Sequence, residues 1–189
     1  MTIQSIAVLG AGQMGNGITQ VAAAAGYNVT MIDIEQAYVD KGLATIERSL
    51  GKLVSKERMT QEDADATIAR ISLSTDRADC ADCDLVVEAV PEIVDLKTSI
   101  FAELDSICKP ETILASNTSS ISISTIADAT NRPDKVIGMH FMNPVPIMKL
   151  VEVINGDKTS TDTNAAVIEA SEKMGKIALS CNDSPGFVS

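Results

Sequence analysis

The stretch IAVLGAGQMGNGI (residues 6–18) constrains this chain more than any other. Gly10, Gly12 and Gly15 form a G-x-G-x-x-G pattern, which alone is weak evidence. Here it follows an apolar run that reads as a strand, and it opens a helix expected to end near Gly26. In that setting the pattern is a strong one. Gly10 permits a tight turn, Gly12 lets a pyrophosphate approach the backbone, and Gly15 lets helix and strand pack closely. The helix N-terminus then offers N–H groups and a positive dipole end to phosphates. Gly10, Ala11, Gly12, Gln13, Met14 and Gly15 are therefore the candidate dinucleotide loop.

The next apolar run, in VTMIDIEQAY, ends on Asp33. An acid there can accept hydrogen bonds from both ribose hydroxyls and would repel a 2′-phosphate. No Arg or Lys follows until Lys41, so NAD is expected rather than NADP. The same fingerprint serves flavin dinucleotides, and FAD stays open on these residues alone.

Short apolar runs alternate with helical patterns through most of the chain. Residues 3–9, 28–32, 85–90, 112–115, 136–140, 148–154 and 177–179 read as strands. Ile93, Leu96, Ile100, Leu104 and Ile107 recur at helical spacing, as do Val39, Leu43, Ile46, Leu50 and Leu53. A second helix at 61–70 is expected to fold back on the one at 39–53, giving a protruding hairpin over 35–70. Such alternation implies an α/β, Rossmann-type, mostly parallel sheet with helices on both faces. Residues 1–183 are expected to form this domain.

Composition narrows the function. A formal net charge of −11 argues against nucleic acid, whose binding rests on neutralising phosphates. The first forty residues contain no Lys or Arg, unlike a signal or transit peptide, and no run is apolar and long enough to span a bilayer. A cytoplasmic location with no membrane partner is expected. Lys41, Arg48, Lys52, Lys56, Arg58 and Arg70 concentrate positive charge in one region, which reads first as a solvated face. Cys80 and Cys83 form a C-x-x-C, but Cys108 and Cys181 stand alone. The second half of a Cys₄ site is missing, so incidental thiols and no metal are expected.

HFMNPVPIMKLVEVI (residues 140–154) holds the only histidine. It also sets Glu152 on the same strand face as Leu150 and Ile154, where a carboxylate is costly to bury unless something bonds or neutralises it. His140 falls where a strand ends, and the two prolines of NPVP stiffen a turn that brings Glu152 back. A carboxylate on an imidazole nitrogen fixes its tautomer and stabilises its protonated form, which suits a base that removes an alcohol proton. From spacing alone, a core histidine and a half-exposed strand glutamate fit equally well; the nucleotide loop favours the catalytic pair. In SNTSS (residues 116–120) most of the hydroxyls are expected to cap the following helix, though a serine here could also meet a substrate oxygen.

At these residues the chain resembles the N-terminal domain of the 3-hydroxyacyl-CoA dehydrogenases, especially bacterial members that act on 3-hydroxybutyryl-CoA. The resemblance runs through GAGQMG, ETILASNTSSISI, RPDKVIGMHFMNPVPIMKLVEVI and SPGFV. It implies NAD-dependent interconversion of 3-hydroxyacyl-CoA and 3-oxoacyl-CoA in butyrate and fatty acid metabolism. His140 matches the family's general acid/base and Glu152 its orienting partner. Ser119 matches the serine that contacts the substrate oxygen beside the nicotinamide, and Asn143 the asparagine that holds cofactor and substrate. Glu92 and Lys97 match positions bordering the cofactor, and Asp33 the adenosine-ribose acid. Ser49 and Lys56 match coenzyme A contacts; seven residues apart, they are expected to share a helix face.

In the family, an asparagine of the active site and an all-helical, dimer-forming C-terminal domain follow SPGFV. Neither stands in these 189 residues. Residues 184–189, with Pro185 at a favoured first helical position, are expected to begin that domain. Two other readings stay open: another NAD-dependent 3-hydroxy acid dehydrogenase, and a dinucleotide-binding module without chemistry.

Overall fold

The computed structural model describes residues 2–184. Eight strands form one sheet: β1 (Ser5–Leu9), β2 (Asn28–Ile32), β3 (Ile71–Ser74), β4 (Leu85–Glu88), β5 (Ile113–Ser116), β6 (Val136–Phe141), β7 (Leu150–Asn155) and β8 (Ile177–Asn182). Their order is β3-β2-β1-β4-β5-β6-β7-β8. Only the β6–β7 pair is antiparallel. Six α-helices cover it: α1 (Gln13–Ala24), α2 (Gln36–Ser55), α3 (Gln61–Ala69), α4 (Val94–Ile107), α5 (Ile123–Ala127) and α6 (Thr161–Lys173). The strand order reverses between β1 and β4, which opens a crevice at the carboxyl ends of the central strands.

Both sheet faces are buried, and the period of two divides the central strands between them. Ile6 and Val8 of β1 join Ile18, Val87 and Val167 in one core beneath α1 and α6. Ala7 and Leu9 face the opposite way, with Phe101, Leu104 and Ile123 beneath α4 and α5. A third cluster, Val39, Ile46, Leu50 and Ala64, joins the α2–α3 pair to Met31 and Ala11. The hairpin is thus anchored at its base on the dinucleotide loop. No helix among the described residues is long and apolar enough to cross a membrane.

The expected strands stand within a few residues of the observed ones, but three elements escaped the sequence pattern. The four residues of β3, ISLS, lie at the sheet edge and are mostly half-buried, so they show little apolar signal. Helix α5 has only five residues. Helix α6 buries a face made largely of small or polar side chains, Thr163, Ala166, Ala170 and Ser171, which leaves no bulky stripe. Strand β8 runs three residues past its expected end, because its edge position lets Ser180 and Asn182 stay exposed. The helix start expected at Pro185 lies outside the described residues.

Candidate active site

The dinucleotide loop leaves β1 through Gly10, whose φ of +100° is a conformation that favours glycine. A Cβ at Gly10 would stand 2.6 Å from the Ala89 carbonyl oxygen, and one at Gly15 only 1.7 Å from the Gly10 carbonyl oxygen. Both positions are closed to any side chain. At Gly12 the situation reverses: a Cβ would meet nothing within 4 Å. Gly12 is also the N-cap of α1 and supplies no side-chain cap, so the first turn of that helix keeps donors for a ligand. An open cradle in front of an uncapped helix is what a pyrophosphate requires, and the loop fits a dinucleotide.

Asp33 follows β2 on the same edge. Its Oδ2 accepts from the Ala11 N–H at 2.7 Å and its Oδ1 from the Ile34 N–H at 2.7 Å. One backbone donor on each oxygen fixes the carboxylate plane, and each oxygen keeps a lone pair for a ribose hydroxyl.

Beyond β4 lies a buried polar network. Lys97 is 1% exposed, and its Nζ lies 2.6 Å from Glu88 Oε1 and 3.2 Å from Glu92 Oε2. Glu88 is itself fully buried; it also accepts from the Ser116 hydroxyl at 2.6 Å and the Val90 N–H at 2.7 Å. Glu92 receives the Thr118 hydroxyl and the N–H groups of Ser119 and Ser120. Burial acts to raise the Glu92 pKa, but these hydrogen bonds and the Lys97 charge outweigh it and hold the carboxyl below its ordinary value. Lys97 therefore lies beneath the site surface, where it anchors Glu92. Glu92 in turn shapes the loop that presents Ser119, whose side chain is exposed.

The capping expected of SNTSS is not what these residues do. Ser122 is the N-cap of α5, accepting from the Thr125 N–H. Asn117 Oδ1 instead accepts from the Phe141 N–H at 2.8 Å and ties the loop to β6, while Thr118 Oγ1 accepts from Ile121 N–H at 2.9 Å. Glu88, Ser116 and Asn117 were missed as site-building residues. For Glu88 the signal existed: a carboxylate in the apolar run DLVVEAV, the feature that had singled out Glu152.

His140 and Glu152 face each other across the β6–β7 ladder as direct register partners. His140 Nδ1 lies 2.8 Å from Glu152 Oε2, with side-chain exposures of 14% and 1%. Glu152 is thus fully buried, not half-exposed, because β8 closes over its other side as the next strand. Its second oxygen, Oε1, has no hydrogen-bond partner among the described residues. Burying a carboxylate is costly even when one oxygen is bonded, so this pair is better suited to chemistry than to stability. Asn143, at the start of the loop between β6 and β7, accepts from Gln13 Nε2 at 3.1 Å and links that loop to the dinucleotide loop.

The remaining expected residues stand apart. Ser49 is half-buried on α2, whereas Lys56 is the exposed C-cap residue just past it. Seven positions apart, they differ by about 20° of arc along the helix path, with Ser49 on the helix and Lys56 at its cap. Burial pushes the thiols of Cys83 and Cys108 up to about 11 and that of Cys80 higher still, so all three stay protonated near neutral pH. Among the described residues, no three His, Cys, Asp or Glu side chains gather as metal ligands.

Such an edge defines a class, the Rossmann-type NAD-binding domains of dehydrogenases. Residues 5–184 match the family described as "3-hydroxyacyl-CoA dehydrogenase, NAD binding domain", and the chain belongs to that family. It is 56% identical over 183 residues to a probable 3-hydroxybutyryl-CoA dehydrogenase of Deinococcus radiodurans, covering 96% of this chain and 65% of that protein. It is 50% identical to a probable 3-hydroxybutyryl-CoA dehydrogenase of Bacillus subtilis, covering 100% of this chain and 66% of the relative. The crystal structure of (S)-3-hydroxybutyryl-CoA dehydrogenase from Ralstonia eutropha superposes with a TM-score of 0.98 at 48% identity, over 100% of this chain and 66% of that one. The chain thus spans just under two thirds of the length of these relatives.

Proposed function

We propose that this domain works within a longer, cytoplasmic protein as an NAD-dependent 3-hydroxyacyl-CoA dehydrogenase, with (S)-3-hydroxybutyryl-CoA and acetoacetyl-CoA as its substrate pair. Residues 1–183 would form the cofactor domain and 184–189 the start of a helical domain through which the protein dimerises. The observation that carries the reading is the pair of half-buried His140 and buried Glu152 on the same sheet edge as the dinucleotide loop. NAD, when bound, would supply the hydride acceptor. Glycine-loop N–H groups would hold the pyrophosphate, and Asp33 would hold the adenosine ribose. With Nδ1 engaged by Glu152, proton exchange is assigned to His140 Nε2: it takes the hydroxyl proton as C3 loses its hydride, and returns it in the reverse direction. Glu152, buried and bonded to the ring, stabilises the imidazolium that this step creates. Ser119 and Asn143 orient the substrate oxygen, and Ser49 and Lys56 receive the coenzyme A handle.

The test compares (S)-3-hydroxybutyryl-CoA with free (S)-3-hydroxybutyrate as substrate of the longer protein, following NADH formation. Turnover of the thioester with little or none of the free acid supports the reading. Equal turnover of both would move the protein to another class of 3-hydroxy acid dehydrogenase, and no turnover of either would leave a binding module.

A further inference from the structure

A cleft of about 320 Å³ opens at the carboxyl ends of β1 and β2, within the range of small-ligand sites. Gly10, Asp33, Ile34, Val90, Arg77 and Glu103 contribute to its walls. Asp33 accounts for a ribose, and the next group along the adenosine half of a dinucleotide is the adenine base. Two side chains in the wall have no role yet. Ile34, 70% exposed, sets an apolar side chain directly after the Asp33 carboxylate. Arg77 opens a 3-10 helix, Arg77–Cys80, whose N-cap Asp76 accepts from the Ala78 N–H at 2.8 Å. That cap fixes where the Arg77 backbone stands. Its guanidinium is then pinned through Nη1 to Glu103 Oε2 of α4.

The Arg77–Glu103 pair has side-chain exposures of 32% and 43%, so it adds little to stability. Its consequence is local: a flat, delocalised cation stands in the wall of the cleft, beside a carboxylate that offsets its charge. A guanidinium plane stacks on aromatic faces in a way that an ammonium cannot.

We propose that Arg77 forms one wall of the adenine subsite, stacking its guanidinium on the base, with Ile34 as the apolar wall opposite. Glu103 is the positioning residue that holds the plane and offsets its charge. The inference rests on the domain binding NAD. It adds a residue that discriminates the adenine half of the cofactor, outside the glycine loop and Asp33.

The experiment titrates the 189-residue chain, and its Arg77→Ala and Arg77→Lys variants, with NADH, AMP and reduced nicotinamide mononucleotide. Both substitutions should raise the Kd for NADH and for AMP by a similar factor, about three- to ten-fold, and leave the mononucleotide unchanged. Arg77→Lys keeps the charge and loses the plane, so it separates stacking from charge. Full AMP affinity in Arg77→Lys would overturn the proposal, as would equal weakening of the mononucleotide in both variants, which marks a general structural effect. Failure of the unsubstituted chain to bind NADH would overturn the cofactor reading itself, whereas unchanged Kd values in the variants would overturn only the role of Arg77.

Discussion

The decisive side chains each do one thing that a substitution can remove. Asp33 already accepts one backbone N–H on each oxygen, so each oxygen keeps a lone pair that a ribose hydroxyl would use. Asp33→Ala should weaken NADH binding by about 1–2 kcal/mol, the scale of a lost charge-assisted hydrogen bond. Titration calorimetry on the chain tests this, and equal affinity of the unsubstituted protein for NADPH would contradict the selectivity argument. Glu152 presents a contrast between stability and chemistry. Its carboxylate is fully buried against the His140 Nδ1, so Glu152→Gln removes a costly buried charge while keeping the shape. In the longer protein, Glu152→Gln should leave Tm unchanged or raised while kcat falls. His140→Gln should lower kcat about 10²- to 10⁴-fold with a smaller change in KM, because proton transfer belongs to the transition state. A Glu152→Gln enzyme with normal kcat would make that carboxylate structural. Much of this was legible in advance: a glutamate among apolar strand residues needs a partner, and a single histidine twelve positions earlier was the candidate. The network under Ser119 was less legible. Lys97 lies near its acid partners only because β4 and α4 fold together, and nothing in linear spacing reveals that Glu88 sits under it rather than beside it.

At the scale of elements, strands buried on both faces announced themselves as apolar runs, whereas the half-buried edge strand β3 and the small-residue helix α6 did not. Direction was legible at the one reversal. The antiparallel β6–β7 pair follows from an eight-residue connection, Met142–Lys149, that is too short for a crossover helix, and it is this reversal that puts His140 opposite Glu152. The hairpin offers a test of charge. Lys41, Arg48 and Lys52 lie within about 40° of arc on α2, and Lys56 continues the run from the cap as an exposed cation. Lys56→Ala should raise KM for the acyl-CoA severalfold at low salt and less at high salt, with NADH binding unchanged. An unchanged KM at low salt would return Lys56 to the solvated surface. Asp84 ties the chain's start to β4: its Oδ2 accepts from Gln4 N–H, Ser5 N–H and the Ser5 hydroxyl, and Oδ1 pairs with Lys109 at 2.8 Å. Burial acts to raise its pKa, but those bonds more than offset it and hold the value at about 2. A depressed carboxyl contributes stability above its unfolded value of about 3.9 and loses it as pH falls towards 2. Asp84→Asn should therefore cost about 1–3 kcal/mol at neutral pH and flatten acid unfolding between about pH 4 and 2. Identical urea midpoints at pH 7 for the two proteins would refute this.

For the molecule as a whole, cofactor binding and turnover should separate. The glycine loop, Asp33, Ser119, His140, Asn143 and Glu152 stand on one framework, held together by the Gln13–Asn143 and Asn117–Phe141 bonds. The residues assigned to the cofactor half of the site all stand within residues 2–184, and the chain should bind NADH with an affinity close to that of the longer protein. Around it lies apolar surface: Ile147 is 74% exposed, Ile177 65%, and Met148 and Leu179 each 41%. The hydrogen bond from Ile177 N–H to the Lys149 carbonyl sets the start of β8 beside the segment that carries Ile147 and Met148, next to the Glu152 strand. A patch of this kind invites a covering element. Without one, solvent reaches the exposed edge of His140 and the space in front of it, which weakens electrostatic action on the substrate, and the acyl chain lacks the fixed geometry on which hydride transfer depends. The 189-residue chain alone is thus expected to reduce acetoacetyl-CoA with a kcat/KM at least about 10²-fold below that of the longer protein, the cost of poor positioning. It should also self-associate as its concentration rises. Side-by-side NADH titration, steady-state kinetics and sedimentation measure all three quantities, and a comparable kcat/KM for the two proteins would show that the domain needs no cover for its chemistry.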